Sequence, residues 1–191
     1  MLQEKKQDEI VIRGYREADH DQVQRVCLGT GTDPTFAQPQ MQQLLLNAFC
    51  NYYIEQEPEN CFVADDGNGV VGYILCARDA GVWKENFPGC YAPGWEDGPL
   101  KMFYEGVMAS PLKYAGEYPA HLHIDILPEY QRVGVGSRLM DALLDHLRQL
   151  HIPGVMLGVA SDNEKGKNFY RKYGFSVLEE GPQEIVMGMK L

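Results

Sequence analysis

Nothing in this sequence approaches the roughly 18 consecutive apolar residues that a membrane-spanning helix needs, and its first seven residues, Met-Leu-Gln-Glu-Lys-Lys-Gln, hold no apolar signal-peptide core. A cytoplasmic protein with no membrane partner is the expectation. The five cysteines, at 27, 50, 61, 76 and 90, are odd in number and no two have the C-x-x-C spacing. That speaks against a disulfide framework and against a zinc site, so reduced, half-buried thiols and no metal are expected. Basic residues are few: 17 Lys and Arg face 27 Asp and Glu, for a net charge of −10. A chain of that charge repels nucleic acid and anionic membranes, and its field favours, weakly, a cationic or amine-bearing acceptor. Two phosphate-binding signatures are also missing. There is no Gly-Lys-Ser/Thr of a P-loop, and no three-glycine G-x-G-x-x-G with an acid about twenty residues on.

What the chain does hold is a glycine-containing turn between a strand and a helix. Leu122, Ile124 and Ile126 alternate with His121, His123 and Asp125, a period of two that predicts a strand with one apolar and one polar face. Pro128 ends it. Beyond Gly136, Leu139, Leu143 and Leu147, with Met140 and Leu144 beside them, form the apolar stripe of a helix over 137–149 packed on a sheet. Between the two lies Gln131-Arg132-Val133-Gly134-Val135-Gly136. Lacking Cβ atoms, Gly134 and Gly136 permit tight or positive-φ backbone and let a ligand come close to the main chain. Amides at the helix start point outward at the positive end of the helix dipole. The combination suits a pyrophosphate; the glycines also fit a purely structural reading, close packing of helix on strand.

At 191 residues the chain suits one well-buried domain over 1–191, with a frayed segment at 1–9. Residues 10–15 read as a first strand, and Asp19 as the N-cap of a helix carrying Val23, Val26 and Cys27. A loop over 29–38 leads to a helix from Pro39 to about Glu55, with Tyr52 and Tyr53 favoured as core residues over an acceptor-binding role. Residues 61–64 and 70–77 are strands joined by the hairpin signal Asp65-Asp66-Gly67-Asn68-Gly69. Residues 79–120 read as a long aromatic insertion with a short helix near 100–108. Its Trp83, Phe87, Tyr91, Trp95, Phe103 and Tyr104 either line an acceptor groove or pack on the domain's own flank or on the second subunit of a homodimer. A strand over 155–160 runs parallel to the one ending at Leu127. Ser161-Asp162-Asn163 caps a helix ending at Gly174, and 175–178 with 185–190 close as an antiparallel pair. The pattern predicts an α/β fold on a mixed sheet.

Two blocks carry a family resemblance. Ile124-Asp125-Ile126-Leu127-Pro128-Glu129-Tyr130-Gln131-Arg132-Val133-Gly134-Val135-Gly136 resembles motif A of the GNAT acyltransferases, and Asn163 to Phe175, with its Phe169-Tyr170 pair and closing Gly174-Phe175, resembles the motif that follows it. The likeness covers roughly 10–191 and is densest from 121 to 175. It implies the GNAT acyl-CoA N-acyltransferase fold: a twisted mixed sheet of six to seven strands flanked by helices, splayed between the fourth and fifth. It implies acetyl-CoA as the cofactor and an amine as the acceptor. The pantetheine would pair with Ile126 and Leu127, and the pyrophosphate would meet amides of Gln131, Arg132, Val133, Gly134, Val135, Gly136 and Ser137. Asn163 matches the family's side-chain contact to the pantetheine, and Tyr170 the tyrosine that protonates the leaving thiolate. The oxyanion would meet a backbone amide around Leu127. For the base, the resemblance points to His121 or His123 before Asp125, all on one strand face.

Arg25-Val26-Cys27, Cys61-Phe62-Val63 through Gly72-Tyr73, and His123-Ile124-Asp125 also resemble the acetyltransferase-like domain that accompanies O-GlcNAcase in animals and stands alone in bacteria. That likeness implies two function classes. One is an acetyl-CoA-dependent N-acetyltransferase; the other is a pseudo-acetyltransferase, an acyl-CoA-binding or interaction module without turnover.

Overall fold

The computed structural model describes residues 10–31, 38–98 and 100–191, with Gln40 and Trp95 as backbone only. The expected fraying at 1–9, most of the loop at 29–38 and the side chain of Trp95 lie outside the described residues. The described residues gather into two compact units, those up to Cys76 with His123–His146, and those from Ala77 to Leu122 with Leu147–Leu191.

In the first unit, β1 (Val11–Gly14), β2 (Phe62–Asp65) and β3 (Val70–Ala77) form an antiparallel ladder, with Val11 opposite Asp65 and Phe62 opposite Ile74. All eight residues of β3 are buried, as a run apolar on both faces requires. The end of β4 (Ala120–Ile126) joins β3 where the Leu127 amide donates to the Val71 carbonyl at 3.0 Å. Asp19 stands just before α1 (His20–Thr30), but its carboxylate caps nothing there. It accepts instead from the Arg13 guanidinium at 2.6 and 2.8 Å and from the Arg16 amide at 2.9 Å, while Arg13 also reaches Asp65. A two-bond ion pair with a guanidinium outcompetes a single bond to a helix amide. The helix expected over 39–55 is three pieces: α2 (Pro39–Leu46), a π-helical turn (Asn47–Asn51) and α3 (Tyr52–Gln56). Side-chain amides of Gln24, Gln43, Asn47 and Asn51 bond to one another across that turn at 2.7–2.9 Å.

In the second unit, β5 (Gly154–Ala160) pairs with β7 (Glu184–Lys190) along its whole length, and β7 with β6 (Ser176–Glu180), all antiparallel. The start of β4 pairs with β5 in parallel at Ala120–Val155 and His121–Met156. Because β4 is common to both ladders, the strand order is β1-β2-β3-β4-β5-β7-β6, a seven-stranded mixed sheet flanked by helices. The aromatic insertion is not a long loop. It forms α4 (Ala80–Tyr91), capped by Asp79 on the amides of Gly81 and Val82, and α5 (Lys101–Tyr114). Gly81, Pro88, Gly89, Gly106 and Pro111 obscured these helices in the sequence, since each is unfavourable in a helix interior. Trp83 stacks on Phe87 at 5.0 Å and Phe87 meets Tyr91 and Tyr104 at 6.0 Å. All four are buried, so they are the core of this helix pair rather than the lining of a groove.

Four cysteines are buried and Cys90 is exposed. None of the described helices is long and apolar enough to cross a membrane.

Glycine is required where β5 and β7 pass beneath Tyr118. A Cβ on Gly154 would lie 2.7 Å from the Glu117 carbonyl and 3.0 Å from the Tyr118 ring, and one on Gly188 would lie 2.9 Å from that ring. Backbone cannot yield as a flexible side chain can. Gly154→Ala is therefore expected to cost about 1–3 kcal/mol in chemical denaturation, whereas Gly116→Ala, where nothing lies within 4 Å, leaves the midpoint unchanged.

Candidate active site

The turn after β4 is built from several backbone closures. A 3-10 turn (Pro128–Tyr130) follows Leu127, with Tyr130 N–H donating to the Leu127 carbonyl at 2.9 Å. The Gln131 side-chain amide folds back onto the Ile126 carbonyl, also at 2.9 Å. Arg132 then takes φ +64° and Gly134 φ +84°. Helix α6 (Val135–Gln149) begins two residues earlier than its apolar stripe predicts. Gly136 thus sits in the first helical turn with ordinary φ, and the second left-handed position falls on Arg132. Val135 is buried and pins the helix start, while Gln131, Arg132, Ser137 and Arg138 are exposed.

Arg138 N–H closes the first helical bond onto the Gly134 carbonyl at 3.2 Å. The amides of Val135 and Gly136 precede it, in the first turn, where an α-helix offers no intrahelical acceptor. They share their end of the helix with its positive dipole and with two exposed arginines. Pyrophosphate chemistry fits that set of donors.

The polar face of β4 is hydrogen-bonded throughout its first-unit part. His123 Nε2 lies 3.0 Å from the Tyr53 hydroxyl, and the rings of Phe49 and Tyr53 meet the imidazole edge-on at 5.3 and 5.1 Å. Phe49 is on the π-helical turn and Tyr53 one turn later, so both reach the same imidazole. Burial pulls the His123 pKa down to about 4. Burial also raises the Tyr53 phenol, which stays protonated and donates to the neutral ring. Asp125 Oδ2 accepts from the Tyr73 hydroxyl at 2.6 Å; the Thr30 hydroxyl, which donates to the Val26 carbonyl at 2.9 Å, is a nearby dipole that also favours the carboxylate. Burial raises the Asp125 pKa, and the two hydroxyls oppose the rise.

His121, in the second unit, is 3% exposed and meets the Trp83 ring edge-on at 4.7 Å. It is a core residue of that unit. The Leu127 amide, expected near the oxyanion, is committed to Val71. Backbone groups of adjacent strand residues point to opposite sides, so the Ile126 amide is the one directed away from β3. Sequence reasoning missed Tyr73 and Thr30 as site residues, did not single out Phe49, and favoured a core role for Tyr53 over an acceptor-binding one. The signal was there in Tyr73, since a phenol within an otherwise apolar strand needs a partner for its hydroxyl.

In the second unit, Asn163 caps α7 (Glu164–Tyr173) by accepting from the Gly166 amide at 2.9 Å. Its oxygen is thereby used, and the side-chain NH2 is the group a ligand can meet. Tyr170, half-buried on α7, packs against Phe169 and Phe175 at 5.4 and 5.8 Å. Gly174, with φ +96°, closes the helix.

Comparison with known proteins gives a consistent result. A family model described as the acetyltransferase (GNAT) family matches residues 31–175. The N-alpha-acetyltransferase 30 of Schizosaccharomyces pombe is 24% identical over 124 residues, which cover 65% of this chain and 62% of that protein. The match thus spans less than two thirds of that relative's length. The crystal structure of SsHAT superposes with a TM-score of 0.81 at 27% identity, covering 95% of this chain and 98% of that one. The PaiA N-acetyltransferase of Thermoplasma acidophilum, solved in complex with coenzyme A, shares the fold at a TM-score of 0.60 and 16% identity, over 95% of this chain and 99% of that one.

Two histidines of the first unit are shifted in opposite directions. His20, bonded to Asp21 at 3.1 Å and Glu55 at 3.3 Å, is raised above its ordinary value, with the Asp21 bond the largest cause. In an NMR titration of the ring protons, His20 is expected to charge above pH 6.5 and His123 only near pH 4. Between pH 6.5 and 4 the unfolded chain binds a proton at position 123 that the folded chain refuses, so this site lowers stability as pH falls through that window. A His123 midpoint near 6.5 would mean that water reaches the ring.

Proposed function

We infer, for a chain that belongs to the GNAT acetyltransferase family, that it transfers the acetyl group of acetyl-CoA to an amine of a small molecule, peptide or protein by direct attack in a ternary complex. The turn over 131–136 carries this reading. It is a left-handed bend at Arg132 and Gly134 leading into the start of a helix, an end that carries the positive pole of the helix dipole, directly after a strand with a half-buried polar face. The pyrophosphate would be held by amides from Gln131 to Ser137 and by the Arg132 charge, and the pantetheine by Ile126, Leu127, Asn163 and Tyr170. The coenzyme A complex of a protein with this fold supports the same ligand here. The finer likeness to the domain that accompanies O-GlcNAcase rests on its sequence blocks and is part of this proposal.

Bound acetyl-CoA supplies a thioester whose carbonyl carbon an amine can attack. The new N–C bond forms as the C–S bond breaks, and the chain's residues handle the two protons. His123 and Asp125, on the same strand face, are the candidates for the proton that the amine loses; burial lowers the pKa of His123 and raises that of Asp125, which favours Asp125 as the acceptor, with His123 lining the site beside it. The Ile126 amide is the donor available to the developing oxyanion. The Tyr170 phenol supplies the proton that the thiolate takes up. His121, packed on Trp83, serves better to hold the strand than to exchange protons.

Calorimetric titration with acetyl-CoA and with CoA, beside a thiol-release assay over a broad panel of amines, tests the reading. The expected result is binding of both ligands with amine-dependent thiol release. His123→Ala and Asp125→Asn should lower turnover by about 10²-fold or more and leave acetyl-CoA affinity within a few fold. Binding with no release on any amine would make the protein a binding module instead, and no binding would remove the pyrophosphate site.

A further inference from the structure

We propose that Asp66 and Tyr130 form a latch that positions the pyrophosphate-binding turn, both acting on acetyl-CoA through the turn rather than by touching it. The proposal rests on the reading of residues 131–136 given above. The Tyr130 hydroxyl donates to Asp66 Oδ2 at 2.5 Å. Asp66 belongs to the β2–β3 hairpin and Tyr130 closes the 3-10 turn directly before Gln131, so one bond ties the loop of the central hairpin to the entrance of the turn.

The hairpin end of the latch is held firmly. Asp66 Oδ1 accepts from the Asn68 amide at 2.9 Å, and the Asp66 amide donates to the Gly69 carbonyl at 3.1 Å. Gln22 of α1 accepts from the Val70 amide at 2.9 Å, and Asp65 accepts from the Gly67 amide at the same distance and from Arg13. Both carboxylate oxygens of Asp66 are therefore in use on a loop fixed by its own amides and by α1.

The other end is where restraint is needed. Arg132, two residues after Tyr130, has φ +64°, a left-handed conformation that a side-chain-bearing residue keeps only when its surroundings over-determine it. Between Leu127, bonded to β3, and the buried Val135, side chains tie the segment through the Gln131 bond to the Ile126 carbonyl and the Tyr130 bond to Asp66. The first ties the segment to its own strand end. The second ties it to a different element, and so fixes where the turn sits.

Charge points the same way. A carboxylate beside an anion site opposes binding by like-charge repulsion, so Asp66 is out of place as a ligand contact and well placed as an anchor. The bond holds its carboxyl below the usual carboxylate range and, with Asp66 the largest cause, pushes the Tyr130 phenol up to about 12. Tyr130 therefore remains the donor across the working pH range.

The test compares dissociation constants for acetyl-CoA and for S-acetyl-pantetheine, which lacks the pyrophosphate, in wild type, Tyr130→Phe, Asp66→Ala, Asp66→Asn and the double variant Asp66→Ala/Tyr130→Phe. Thermal midpoints are recorded alongside. Tyr130→Phe and Asp66→Ala should each weaken acetyl-CoA by about tenfold, the scale of one hydrogen bond to a charged group, and leave S-acetyl-pantetheine unchanged. Asp66→Asn, which still accepts from Tyr130, should keep most of the affinity. The double variant should be no worse than either single change, since both remove the same bond. Equal losses on both ligands, or no loss on acetyl-CoA, would overturn the latch. A wild type that binds the two ligands equally would overturn the pyrophosphate reading and the latch with it, an outcome separate from the other two.

Discussion

A chain with a net charge of −10 can hold a pyrophosphate only where the local field opposes the global one. Main-chain amides can supply that field without adding basic residues, provided that the backbone turns so that several N–H groups converge. In the site proposed here the left-handed positions at Arg132 and Gly134 would make that turn. β4 brings the chain to the right place because its end is bonded to β3, and α6 leaves in the right direction because Val135, Leu139 and Leu143 are buried. The strand, the helix and the hairpin behind Tyr130 all act on the orientation of a few amides.

The second constraint is burial of polar groups along β4. An imidazole or carboxylate withdrawn from water is driven to its neutral form unless a partner holds the charge. At His123 the partners are a phenol and an aromatic ring, so the neutral form wins. At Asp125 two hydroxyls work against the desolvation that raises its pKa. Adjacent positions on one strand face thus differ in proton affinity because of what α1, the π-helical turn, α3 and β3 place against them. The π-helical turn matters here, since it sets the register in which Phe49 and Tyr53 both reach His123.

In the second unit the governing term is close packing. Gly154 and Gly188 let β5 and β7 lie beneath the Tyr118 ring, with Lys190 over it at 4.3 Å. The stacked aromatics of α4 and α5 bury the remaining bulk. The β5-β7-β6 ladder is closely packed beside α7, which carries Tyr170 and is capped by Asn163.

The sequence by itself determined the local elements around the turn and the family to which they belong. Period-two alternation at 121–126, the leucine stripe after 136 and the asparagine cap at 163 are short-range signals, and each depends on side chains a few residues apart. The long-range facts were not legible. That two helices pack around Phe87 and Tyr104, and that Tyr53 and Tyr73 complete the polar face of β4, follow from residues 17 to 70 positions apart meeting in space; that Asp19 serves Arg13 rather than α1 follows from the turn that brings β1 back beside the helix start, six positions away. Periodicity placed His121, His123 and Asp125 on one strand face as equals. Only tertiary structure separated them, because proton affinity is set by solvent exclusion and neighbouring dipoles, and those come from whichever distant elements the fold packs against each side chain.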